Sequence, residues 1–168
     1  MPIVEPEVLM DGDHDIDRCS AVTEWTLKTT FEQLYDQRVA LEGIVLKPNM
    51  VISGKKAANR APPHTVAEAT VRVLKRHVPP AVPGIAFLSG GQSPAEATLH
   101  LSLINQLGPL PWSITFSYGR ALQDEALKAW GGAGANFAAG QKEFLRRAKL
   151  TALATTGRYA SDMESKAA

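Results

Sequence analysis

Four times along 168 residues, a short run of β-branched and apolar residues gives way to a stretch whose apolar positions recur at helical spacing. The strand-like runs are Ile3-Val4, Leu41 to Leu46, Gly84 to Leu88 and Ser113 to Tyr118. Helical spacing follows over Ile16 to Gln37, Thr65 to His77, Ser93 to about Gly108 and Ala121 to Trp130, with a last helix over Ala138 to Thr155. Such alternation builds a parallel α/β sheet with right-handed crossovers. Two architectures accept four units. One is an open doubly wound sheet, complete at this length; the other is half of a (β/α)8 barrel, whose eight units occupy about 250 residues. The fourth run bears on the choice. Ile114, Phe116 and Tyr118 share one face and Ser113, Thr115 and Ser117 the other, which suits helices on one side and a barrel interior on the other.

Local signals mark the joins. Met10 to Asp15 reads as a loop ending in a helix cap; its acids lack the calcium-loop spacing and serve as turn and cap residues. Thr65-Val66-Ala67-Glu68 reads as a capping box, and so does Ser93-Pro94-Ala95-Glu96, with proline at the first helical position. Val51 to Pro63 is a loop whose Lys55, Lys56 and Arg60 could attract an anionic ligand but are expected to be solvated, and His100 is expected to be a packing or surface residue. Residues 1–160 are expected to form the folded unit and 161–168 a frayed polar tail. A net charge of +1 gives no electrostatic case for nucleic acid or an anionic membrane. The single cysteine, Cys19, suits a reducing cytoplasm, and no run reaches bilayer length. Zinc-type clusters and a P-loop are missing from the sequence.

Chemistry-bearing residues gather at one place in each unit. Glu5 and Glu7 follow the first strand, Lys47 the second, Ser89-Gly90-Gly91 the third, and Gly119-Arg120 the fourth. Barrel enzymes build their sites at that end, with a phosphate site in the loops after the last two strands. Glycines let N–H groups approach an anion, and arginine offers a planar fork to phosphate oxygens. Strand alternation would put Lys47 on the face of Val45, Gly43 and Leu41. An amine against an apolar face is the type that desolvation makes nucleophilic, as a Schiff base needs. The competing reading is a strand-end lysine reaching into water.

Several segments resemble the Schiff-base-forming (class I) fructose-bisphosphate aldolases. They are Pro2 to Glu7, Asp11 to Asp15, Leu46-Lys47-Pro48-Asn49-Met50, Phe87 to Gln92, Thr115 to Leu122 and Leu127 to Gly132, in order from residue 2 to about 159. The resemblance implies the fifth to eighth units of a (β/α)8 barrel. It further implies a glycolytic lyase that cleaves fructose 1,6-bisphosphate to dihydroxyacetone phosphate and glyceraldehyde 3-phosphate, needing no metal or other cofactor. Lys47 would form the imine, Glu5 would act as general acid/base on the carbinolamine, and Glu7 would support proton handling and lysine positioning. Ser89, Gly90, Gly119 and Arg120 would hold a substrate phosphate, with Ser117 at a neighbouring inward position. Full-length relatives are expected to be homo-tetramers whose partners are sugar phosphates. The family's first four units, with an acidic base and two further lysines, have no counterpart here. A fragment or truncated product of low or no activity is therefore expected, with a non-catalytic sugar-phosphate-binding protein or a self-pairing half-barrel as alternatives.

Overall fold

The computed structural model describes residues 1–166. Strands β1 (Ile3–Val4), β2 (Val45–Leu46), β3 (Gly84–Phe87) and β4 (Ser113–Phe116) alternate with helices α1 (Ile16–Asp36), α2 (Pro63–His77) and α3 (Pro94–Gln106). Helices α4 (Arg120–Trp130), α5 (Phe137–Ala154) and the single turn α6 (Met163–Lys166) complete the chain. All strand pairs are parallel, and the sheet order is β1-β2-β3-β4. A doubly wound sheet reverses its order at a switch point and carries helices on both faces. This sheet never reverses, which is the barrel arrangement.

The register shows where the helices lie. Ile3 is level with Val45, Leu46 with Ile85, and Ile85 with Ile114. Val4, Leu46, Ile85 and Ile114 therefore share a face, and Leu46 and Ile85 are fully buried beneath the helices. The opposite face carries Ile3, 59% exposed, with exposed Ser113 and Thr115 and half-buried Val45, and is open at β1 and β4, while Ala86 of β3 is buried. Its polar residues on β4 follow the alternation that the sequence predicts.

Helix α1 begins where Asp15 accepts a bond from the Arg18 N–H, and buries Cys19, Ser20, Thr23, Leu27 and Phe31. Ser93 and Glu96 form the expected reciprocal capping box at α3. Helix α2 differs from expectation. It starts at Pro63 behind Pro62, so Thr65 lies inside the first turn and caps nothing. Proline at the first position supplies the required φ and lacks only an N–H that would be unbonded anyway. Its Val66, Val73 and Leu74 are almost wholly buried, and each such side chain contributes about 1.5–3 kcal/mol.

The lysine strand is also shorter than predicted. Leu41–Gly43 form a 3-10 turn, and only Val45–Leu46 pair as strand, so Lys47 shares its face with Val45 but not with Gly43 and Leu41. The stretch expected as a frayed tail is docked at Glu164, which accepts bonds from Tyr159, Arg146 and Arg147. The last two residues of that predicted tail lie outside the described residues.

Candidate active site

Backbone bonds carry the ladder one residue past each strand. The Lys47 N–H donates to the Val4 carbonyl (2.8 Å), that of Leu88 to Pro48 (3.1 Å), and that of Ser117 to Phe87 (2.8 Å). All four strand ends are thus fixed side by side as one rim. With Ile3 level with Val45, the residues two steps on, Glu5 and Lys47, also stand level on the open face. The Lys47 ammonium meets the Glu5 carboxylate at 2.9 Å; the side chains are 21% and 45% exposed. The amine therefore sits in an ion pair on the sheet face opposite the helices. Glu7 is exposed and makes no ion pair among the described residues.

Asn49 fixes the loop behind the lysine. It is buried, accepts from the Val8 N–H (3.1 Å) and donates to the Thr23 hydroxyl and the Met50 carbonyl (both 3.1 Å). One amide thereby ties together the loop after β1, helix α1 and the loop after β2.

The glycine loop after β3 turns at Gly90 and Gly91, with φ of +49° and +76°, a conformation costly for any side chain with a Cβ. Gln92 supports it from beneath, donating to the Ser89 carbonyl (2.9 Å) and pairing with His100 Nδ1 (2.5 Å). His100 is a buried packing residue, as expected. Burial pulls its imidazole down to about 4, although Glu96, one turn earlier on α3, acts in the opposite direction. Ser89 itself is buried.

The neighbouring loop after β4 is anchored by Tyr118, whose hydroxyl donates to the Ala97 carbonyl (2.9 Å). Burial raises its phenol far above the ordinary range. Ser117 is half-buried and leads to Gly119, the N-cap of α4, while Arg120 opens the helix at the surface. Among the described residues, the N–H groups of Gly90, Gly91, Gly119 and Arg120 donate to no group in the chain. Two turns offering free N–H groups on adjacent strand ends, with Arg120 following the second, form a cradle suited to an anion.

Two loop cations differ from the sequence expectation. Arg60 pairs with Glu96 (3.0 Å) and Lys55 with Asp11 (2.8 Å), so neither is simply solvated. The loops carrying Asp11 and Lys55 are laced together by the N–H groups of Gly54, Lys55 and Lys56, which donate to His14, Met10 and Gly12. These pairings join residues more than 35 apart in the chain, and no spacing rule reveals them. No group of three or more His, Cys, Asp or Glu side chains converges among the described residues. No described helix is long and apolar enough to cross a membrane.

The family model for class-I fructose-bisphosphate aldolase, described as glycolytic, matches residues 1–168. A cytosolic fructose-bisphosphate aldolase 4 of Arabidopsis thaliana is 54% identical over 165 residues, covering 98% of this chain and 42% of its own. The non-muscle aldolase of Lethenteron camtschaticum is 56% identical over 161 residues, covering 95% of this chain and 44% of its own. Among solved structures, fructose-bisphosphate aldolase from Plasmodium falciparum, in complex with TRAP and a small-molecule inhibitor, superposes with a TM-score of 0.92 at 49% identity. That match covers 95% of this chain and 46% of the Plasmodium chain. The chain thus spans less than half the length of these relatives.

Proposed function

Because the chain belongs to the class-I fructose-bisphosphate aldolase family and its sheet is part of a (β/α)8 barrel, we propose that it carries the imine-forming and phosphate-binding portion of an aldolase site. The observation that carries this reading is the Lys47–Glu5 pair at 2.9 Å, on the same rim as the glycine loops. A substrate phosphate held by Ser89, Gly90, Gly119 and Arg120 sets the sugar's ketone beside Lys47, and this placement lowers the entropic part of the barrier. Ser117 lines the approach from β4.

Glu5 takes a proton from the lysine ammonium, and the free amine adds to the carbonyl. Glu5 then returns a proton as the carbinolamine loses water and the protonated imine forms. The imine is a stronger electron sink than the ketone. As the hydroxyl on the fourth carbon gives its proton to water, the bond between the third and fourth carbons of fructose 1,6-bisphosphate breaks. The bond's electron pair flows into the imine to leave an enamine, and glyceraldehyde 3-phosphate is released. Protonation and hydrolysis of the enamine release dihydroxyacetone phosphate and restore Lys47. Glu7 relays protons from the solvent side. The chemistry uses the lysine alone as covalent group, with no metal, and places the protein among sugar phosphates in the cytoplasm.

Incubation with dihydroxyacetone phosphate followed by borohydride reduction is the direct test. A reduced adduct on Lys47, absent from Lys47→Met, is the expected product in the mass spectrum. A folded sample with no adduct, or with the adduct on another lysine, removes the mechanism. Sugar-phosphate binding without turnover is a second reading, favoured because, among the described residues, Lys47 pairs with Glu5 and not with Glu7. Ligand-dependent thermal stabilisation that Arg120→Ala abolishes, with no adduct, selects it.

A further inference from the structure

The strap formed by the laced loops puts one cation directly over the glycine turn. A Cβ built on Gly91 would run into Lys55 Cε and would lie 2.9 Å from Lys55 Nζ, so the lysine stem is laid across the turn itself. Its position is not a chance of side-chain freedom. The Lys55 N–H donates to Met10 (2.8 Å), and the flanking N–H groups of Gly54 and Lys56 hold to His14 (2.9 Å) and Gly12 (3.0 Å). The ammonium rests on a single acceptor, Asp11, at 2.8 Å, in an exposed pair. Exposed pairs of this kind are held weakly and are exchanged at little cost. Asp11 also lies within the electrostatic reach of Arg120 and Lys56 and is drawn below the usual carboxylate range, first by Lys55. Lys55, Arg120 and Lys56 all act on that one carboxylate, a surplus of positive charge that suits a phosphate dianion.

We propose that Lys55 is a specificity-determining group of the anion cradle: its ammonium, paired with Asp11, turns onto a phosphate oxygen when the Ser89–Gly91 loop holds one. This rests on the phosphate-site reading above and adds to it a residue from the loop after β2. Asp11 competes with the ligand for the same ammonium, so it sets how readily the site fills. A dianion that accepts from Lys55 as well as Arg120 is favoured over a monoanion of similar size, and the site thereby selects phosphate monoesters over carboxylates.

Calorimetric titration of the chain with inorganic phosphate at fixed pH and ionic strength tests this. Lys55→Met keeps an unbranched stem over Gly91 and is expected to weaken phosphate by about tenfold, the scale of one charge-assisted bond at a partly exposed site. Lys55→Gln is expected to behave alike and Lys55→Arg to retain binding, while Asp11→Asn is expected to tighten it by about threefold. Lys56→Met, which does not lie on the turn, serves as the control for general electrostatics, with a smaller loss. Lys55→Met and Lys55→Gln both within twofold of wild type, with Arg120→Ala impaired, overturn the assignment of Lys55 and leave the phosphate site standing. Equal losses in the Lys55 and Lys56 variants also overturn it, since net charge then suffices. No phosphate binding by the wild type, or undiminished binding by Arg120→Ala, overturns the phosphate site and the role of Lys55 with it.

Discussion

The rim of strand ends and the seam between α5 and α6 hold the same kinds of charge in opposite ways. At the seam, Arg147 is 1% exposed and grips both oxygens of Glu164 (2.7 and 2.8 Å) and one of Glu125 (3.0 Å). Arg146 bridges Glu125, Glu143 and Glu164, and the Tyr159 hydroxyl donates to Glu164 (2.7 Å). At the rim, among the described residues, Lys47 and Lys55 have one carboxylate each, and the N–H groups of Gly90, Gly91, Gly119 and Arg120 have no acceptor. The seam saturates its donors and the rim leaves donors free. Saturated ionic groups in a low-dielectric setting hold structure, because removing one partner strands the other. Unsaturated donors on an exposed rim add little to stability and remain available to a ligand.

The sharpest way to break this contrast is at the seam. Arg147→Met is expected to lower the unfolding free energy by about 3–5 kcal/mol, the cost of leaving a carboxylate network without its buried cation. Urea denaturation checks it, and a loss under about 1 kcal/mol would put seam and rim in one class. Next comes His100, in the closed layer just under the rim. Its folded value of about 4 lies below the ordinary 6.5 because burial disfavours the imidazolium. The unfolded chain therefore binds the proton first as pH falls. Stability is full above about 6.5, declines between 6.5 and 4, and is level below that, by roughly 3 kcal/mol in all. His100→Gln should flatten that slope in denaturant midpoints taken across the window.

Glu164 gives a smaller effect at more acid pH. Burial works against its charge, but Arg147, Tyr159 and Arg146 outweigh it and bring the carboxyl down to about 2. The folded value is depressed, so this stabilisation is complete above the ordinary 4.5 and disappears as pH falls through 2. A Glu164→Gln chain should already lack it at neutral pH and show a shallower acid limb. Matching limbs in the two proteins would mean that the seam does not titrate as a unit.

The seam and the rim also differ in how far the sequence discloses them. At the rim, Lys47 closes a strand with Pro48 behind it, and Ser89-Gly90-Gly91 and Gly119-Arg120 follow strand runs; local periodicity alone sets them at one end of the sheet. The open polar face of β4 follows from the same alternation. What pairs with what does not. The Lys55–Asp11 and Arg60–Glu96 contacts, the Asn49 tie and the whole of the seam join distant segments, and their partners are set by how the helices pack. Glu164 reads as part of a polar tail because its bonds are made to a helix that begins 27 residues earlier, at Phe137. The start of α2 was obscured for a different reason: Thr65 to Glu68 satisfies a capping pattern, but Pro63 had already fixed the first helical φ.

The smallest expected effect on stability carries the greatest functional weight. Lys47 makes one ion pair to a half-exposed carboxylate, so Lys47→Met should cost less than about 1 kcal/mol and leave the denaturation midpoint nearly unchanged. The same substitution should remove the whole of the borohydride-trapped adduct. A residue that held the sheet together would show the reverse, a large loss of stability with adduct formation falling only in proportion to the folded fraction. Measuring both quantities on one sample separates the alternatives. If Lys47→Met unfolds the chain as Arg147→Met does, the lysine belongs with the saturated charges of the seam, and an amine committed to that structural role is no candidate for bonding to a sugar carbonyl.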